Sequence, residues 1–125
     1  MNRAECIVVS GGFDPIHVGH LRMFKEASEL APKLIVIVNN DNFLIEKKGY
    51  VFMPIAERIE IIEGFGFVDM VVESVDKDLT VCETLQWLAK KENVIIFANG
   101  GDRNNTDAIP EADVCRENKI AMKFN

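Results

Sequence analysis

The chain has 125 residues, one domain's worth, which allows a single two- or three-layer core and no second domain. Its 48% hydrophobic content excludes a disordered chain, and its net charge of −6 argues against a nucleic-acid partner, whose phosphates favour a basic face. No stretch reaches the roughly 20 apolar residues of a membrane span, the first residues leave no room for a signal peptide, and the three scattered cysteines, Cys6, Cys82 and Cys115, suggest neither disulfides nor zinc, so a cytoplasmic protein without a membrane partner is expected.

In chain order, Cys6 to Val9 is a short β-branched run that reads as a strand. A glycine-rich turn follows, then a helical pattern with apolar residues at Val18, Leu21, Phe24, Ala27, Leu30 and Ala31, stopped by Pro32. Leu34 to Val38 is continuously apolar, as a parallel strand buried on both faces requires. Asn39 to Met53 reads as a polar and basic loop. Pro54 opens a helix with Ile55, Ile59 and Ile62 on one stripe, ended by Gly64 and Gly66. Met70 to Val72 reads as a third strand. Val81, Leu85, Leu88 and Ala89 mark a third helix, with Trp87 expected in the core and Asp76, Asp78 and Glu83 on a solvated acidic face. A strand from Val94 to Ala98, a short helix from Pro110 to Asn118 and a strand from Ile120 to Phe124 complete the order βαβαβαβαβ. Right-handed crossovers make this an α/β fold: a single Rossmann-like, doubly wound, five-stranded parallel sheet with helices on both faces, spanning 1–125. Ligands bind such sheets beyond the carboxyl ends of the strands, which singles out the loops at 10–18, 39–53, 74–80 and 99–110.

The segment Ser10-Gly11-Gly12-Phe13-Asp14-Pro15-Ile16-His17-Val18-Gly19-His20 carries the strongest chemical signal. Its two histidines are the only ones in the chain, and they sit three apart at a helix start, on one face. Free N–H groups and the helix dipole favour an anion there. Gly11 and Gly12 let backbone approach a phosphate, and Gly19 leaves space beside a flat base. No Gly-x-x-x-x-Gly-Lys-[Ser/Thr] run is present, so a P-loop enzyme is not supported.

This segment resembles the His-x-Gly-His signature of the cytidylyltransferase-like nucleotidyltransferases. Further matches are the loop Asn39-Asn40-Asp41, the Arg-bearing helix 56–62, the strand 68–72 and the turn Asn99-Gly100-Gly101-Asp102-Arg103. The resemblance implies transfer of a nucleoside monophosphate, with CMP favoured, from a nucleoside triphosphate to a phosphorylated small molecule. Adenylyl transfer, or a nucleotide-binding module without catalysis, is the alternative. It further implies CTP or ATP with Mg²⁺, ligands to the metal being unknown, and a homodimer. His17 and His20 would stabilise charge on the triphosphate, with Lys47 the third catalytic candidate. Gly12 and Phe13 would wall the nucleotide site beside Gly11 and Gly19, and Asp14 would brace the turn. Lys48 would hold phosphate, Arg58 would reach the site from the second helix, and Asn99, Gly100, Gly101, Asp102 and Arg103 would border base and ribose. Other readings stay open: Lys47 and Lys48 as a solvated loop, Arg58 paired with Glu57 or Glu60, and Asp102-Arg103 as turn chemistry. Relatives continue into a hydroxyl-rich turn and a last helix, so a chain ending at Asn125 is expected to bind nucleotide weakly.

Overall fold

The computed structural model describes residues 3–99 and 110–124. Its strands are β1 (Glu5–Gly11), β2 (Lys33–Val38), β3 (Met70–Glu73), β4 (Asn93–Asn99) and β5 (Ala121–Phe124). They form one parallel sheet in the order β3-β2-β1-β4-β5. The chain steps outward from β1 to β3, then crosses back to β4, so the switch point lies between β1 and β4. The helices are α1 (Val18–Ser28), α2 (Asp41–Lys48), α3 (Ile55–Glu63), α4 (Cys82–Lys91) and α5 (Ala112–Glu117).

Strand alternation sorts the core into two layers. Ile7, Val9, Val36 and Val38 face Phe24 and Ala27 of α1 and Ile62 of α3. Cys6, Val8, Ile35 and Ile37 face Leu85 and Leu88 of α4 and Cys115 of α5. The runs in β1 and β2 are buried throughout because both faces are covered. Cys6 and Cys115 serve as small core residues, and burial pushes the Cys115 thiol up to about 11.

Three expectations need correction. The segment after β2 is not all loop: Asn40 caps α2 by accepting from Phe43 N–H at 2.8 Å, and Gly49 closes it at φ 87°. Trp87 is 46% exposed, with the Lys91 ammonium 4.6 Å from its ring centroid. Asp76 is buried, not solvated: its carboxylate accepts from the N–H groups of Glu83 (2.8 Å) and Thr84 (3.0 Å) and so caps α4.

Candidate active site

A cleft of about 590 Å³ opens over the carboxyl ends of β1 and β2, where the sheet topology places a ligand. Residues from β1 to the start of α1 form one wall, α2 another, and the segments leading into α4 and α5 the rest.

Both histidines line it. His17 is the N-cap of α1, and its Nδ1 accepts from Gly19 N–H at 3.0 Å. His20 returns the bond: its Nδ1 accepts from His17 N–H at 3.1 Å. This is a capping box built from imidazoles. With each Nδ1 used as an acceptor, the proton of each neutral ring sits on Nε2, which becomes the donor available to a ligand. The rings stack, with centroids 3.9 Å apart. Burial, then the neighbouring His17, lowers the His20 pKa below its ordinary 6.5, so near neutrality His20 is a neutral donor.

Phe13 holds His20 from behind, edge-on, with centroids 5.0 Å apart. Its own backbone is left-handed, at φ 51°, an unfavourable state for a bulky side chain. The glycines around it are required by contact. A Cβ on Gly11 would stand 2.8 Å from the Phe13 ring, and one on Gly19 would stand 2.8 Å from His17 Cε1. The space beside Gly19, expected to admit a base, is held by the His17 ring.

Asp14 braces the turn. Its side chain is 1% exposed, ion-paired with Lys48 at 2.8 Å, and accepts from Phe52 N–H (2.8 Å) and Met53 N–H (2.5 Å). Burial raises its pKa, but Lys48 and the two N–H groups outweigh that and hold it below 3.8. Lys48 also donates to the Asp14 carbonyl at 2.9 Å, so its ammonium is already committed. Lys47, by contrast, lines the cleft with its ammonium 5.6 Å from the Phe43 ring centroid.

Arg58 does not line the cleft. It is fully buried and pairs with neither Glu57 nor Glu60. It donates to the carbonyls of Met53 (2.8 Å), Gly12 (2.8 Å) and Asn39 (2.6 Å) and to the Asp41 carboxylate (2.6 Å). One guanidinium therefore ties three loop backbones to α2. The backbone of Asn99 ends β4 at the switch point; Gly100, Gly101, Asp102 and Arg103 lie outside the described residues. Ser10 and Asn39, which the sequence motifs contain without a role, also line the cleft, as do Phe43 and Glu111, which no motif singled out.

A parallel sheet with a donor-rich helix start at its switch point defines a nucleotide-binding α/β protein. The family model described as "Cytidylyltransferase-like" matches residues 8–122, and the chain belongs to that family of nucleotidyltransferase enzymes. An FAD synthase of Thermococcus sibiricus is 37% identical over 101 residues, 78% of this chain and 64% of that protein. An FAD synthase of Pyrococcus abyssi is 42% identical over 72 residues, 57% of this chain and 49% of that protein. The bifunctional protein HldE of Photobacterium profundum is 32% identical over 108 residues, 84% of this chain and 21% of that protein. The chain thus spans about half to two thirds of these FAD synthases and about a fifth of HldE. In fold it is similar to the lipopolysaccharide core biosynthesis protein of Thermoplasma volcanium, with a TM-score of 0.71 over 97% of this chain and 93% of that one, at 19% identity. Among the described residues no helix is long and apolar enough to cross a membrane.

Proposed function

We propose that this chain transfers AMP from ATP to a phosphorylated small molecule and releases pyrophosphate. An acceptor phosphate oxygen attacks the α-phosphorus, the new P–O bond forms, and the bond to the β-phosphate oxygen breaks. The observation that carries the reading is the imidazole capping box, which leaves two Nε2–H donors side by side in the cleft. Donors fixed before the reaction stabilise the charge that grows on a five-coordinate phosphorus without reorganising. Lys47 supplies a cation at the opposite wall, while Lys48 secures the turn. The nucleophile and leaving group are both phosphates, so positioning and charge stabilisation suffice.

The preference for adenylyl over cytidylyl transfer reverses the expectation from the motif. It rests on the FAD synthases among the relatives, whose named product contains an AMP half. Among the described residues no cluster of three or more metal-ligating side chains occurs. A divalent cation bound with the triphosphate, the usual mode for Mg²⁺, would neutralise phosphate charge in the cleft.

The test is pyrophosphate release by the full-length gene product, with ATP or CTP and a panel of phosphorylated acceptors. At least about tenfold higher kcat/KM with ATP is expected, a difference of about 1.4 kcal/mol. A preference for CTP would overturn the adenylyl assignment. Tight nucleotide binding without release, for every acceptor, would identify a binding module instead.

A further inference from the structure

Helix α2 brings one stripe of residues into the cleft. Phe43, Leu44 and Lys47 line it, and they follow Asn40, the N-cap, by three, four and seven positions, so they share one face. Only Leu44 of the eight helical residues is buried, so apolar packing does little to set the angle at which the helix lies. Polar contacts at its start set that angle instead.

The Asn40 side chain uses its oxygen and both its amide protons. Its Oδ1 accepts from Phe43 N–H at 2.8 Å and caps the helix. Its Nδ2 donates to the carbonyls of Ser74 and Asp76, each at 3.0 Å, and its backbone N–H donates to the Ser74 hydroxyl, also at 3.0 Å. The amide can stand only this way round: turned over, it would set its NH2 against Phe43 N–H and its oxygen against two carbonyls. The loop that receives it is firm, because Ser74 and Asp76 are buried and the Asp76 carboxylate accepts from the N–H groups of Glu83 and Thr84. Asn40 therefore joins α2 to the start of α4, while Arg58 holds the next residue, Asp41, from α3.

Asn40 itself does not line the cleft, so its influence on a ligand passes through what α2 carries. Lys47 lies about 10 Å further along the axis, at about 1.5 Å per residue, so a tilt of roughly 10° about the N-cap would displace it by about 2 Å. A shift of that size breaks a charge-assisted hydrogen bond.

We infer that Asn40 is a positioning residue that sets where Lys47 stands in the cleft, by tying the start of α2 to the carbonyls of Ser74 and Asp76. The inference rests on the nucleotidyl-transfer reading, in which Lys47 meets the triphosphate, and deepens it. The cap and the tie belong to opposite ends of one amide, so substitution separates them. Aspartate and serine both cap helices about as well as asparagine, and neither can donate to the two carbonyls as the Asn40 amide does.

The experiment is a double-mutant cycle in the full-length protein, read by calorimetry with a non-hydrolysable ATP analogue at two ionic strengths. Lys47→Ala should weaken binding at least about tenfold, the effect of one hydrogen bond to a charged group. Asn40→Asp and Asn40→Ser should each weaken it about three- to tenfold, and should flatten its salt dependence toward that of Lys47→Ala. In the Lys47→Ala background the same two substitutions should change binding by less than about twofold, because the group they displace is already gone. Asn40→Ser sets no charge against the carbonyls and serves alone where Asn40→Asp fails to fold. Unchanged binding in Lys47→Ala, unchanged binding in the Asn40 variants, or an equal loss from them with and without Lys47 would each overturn the inference; the last would make Asn40 a structural residue only. Because binding is read without turnover, a protein that shows this coupling but releases no pyrophosphate would sink the enzymatic reading and leave this one standing.

Discussion

Replacing Arg58 with methionine keeps most of the side chain's length and removes its charge and all its donors. The guanidinium makes four hydrogen bonds of 2.6 to 2.8 Å. Three of the acceptors are backbone carbonyls, from Gly12, Asn39 and Met53; the fourth, Asp41, is 38% exposed and can hydrate. Bonds to a charged donor contribute about 1.5–3 kcal/mol each, but four sharing one group do not add. Breaking one side of a buried charged network costs about 3–5 kcal/mol, a large part of the about 5–15 kcal/mol that holds a domain together. With a urea slope of about 1–3 kcal/mol/M, the unfolding midpoint should fall by roughly 2 M. Arg58→Lys should recover less than half, since one ammonium cannot span the planar fork's partners. The assay is urea unfolding followed by circular dichroism, with the slope checked for constancy. A loss below about 1 kcal/mol would refute the view that Arg58 clamps the loops from within.

Other perturbations separate chemistry from support. His17→Ala or His20→Ala should lower kcat by about 10²–10³, with about 1 kcal/mol lost from the cap, and wild-type turnover in either would remove the mechanism. Gly19→Ala drives a Cβ into the His17 ring, yet alanine is the better helix former, so turnover should fall while the melting temperature holds or rises. A parallel loss of both would contradict this. Lys47→Ala should weaken nucleotide binding and flatten its salt dependence, whereas Lys48→Ala should chiefly lower stability by unpairing Asp14; calorimetry and denaturation of both variants decide whether the lysines differ. The His20 pKa is depressed on folding, so its stabilisation is full above about pH 6.5 and is lost as pH falls through the folded value. Unfolding at pH 7.5 and 5.5 should show a smaller drop for His20→Gln than for wild type, and equal drops would refute the assignment.

Strands were legible because a doubly covered sheet forces continuous apolar runs, and 34–38 is one. α2 was not, since only Leu44 of its eight residues is buried and no stripe repeats. Its ends were nevertheless written: Asn40 before the helix, Lys47 and Lys48 in its last turn, Gly49 after it. Trp87 sits among apolar neighbours in sequence but off their face: at about 100° per residue it lies roughly 120° from the stripe of Val81, Thr84, Leu85 and Leu88. Asp76 was misread because its partners lie seven and eight residues away, across a turn that sequence spacing does not reveal. The histidine pair was legible as chemistry, but not the exchange of backbone N–H groups that sets its tautomers. Arg58 could be read as basic, while its burial among carbonyls depends on three loops meeting.

Helix α2 is anchored at both ends. Asn40 donates to the carbonyls of Ser74 and Asp76, each at 3.0 Å, and Lys48 is bound to Asp14. Ordering eight residues of free loop around a ligand would cost on the order of 10 kcal/mol of backbone entropy. Here that cost is met when the protein folds, and Lys47 rides on a strut that is already in place. On this wall of the cleft an entering substrate then has the rotamers of Lys47 to immobilise, and not the backbone beneath it. Helix α2 should accordingly add no slow ordering step of its own to association.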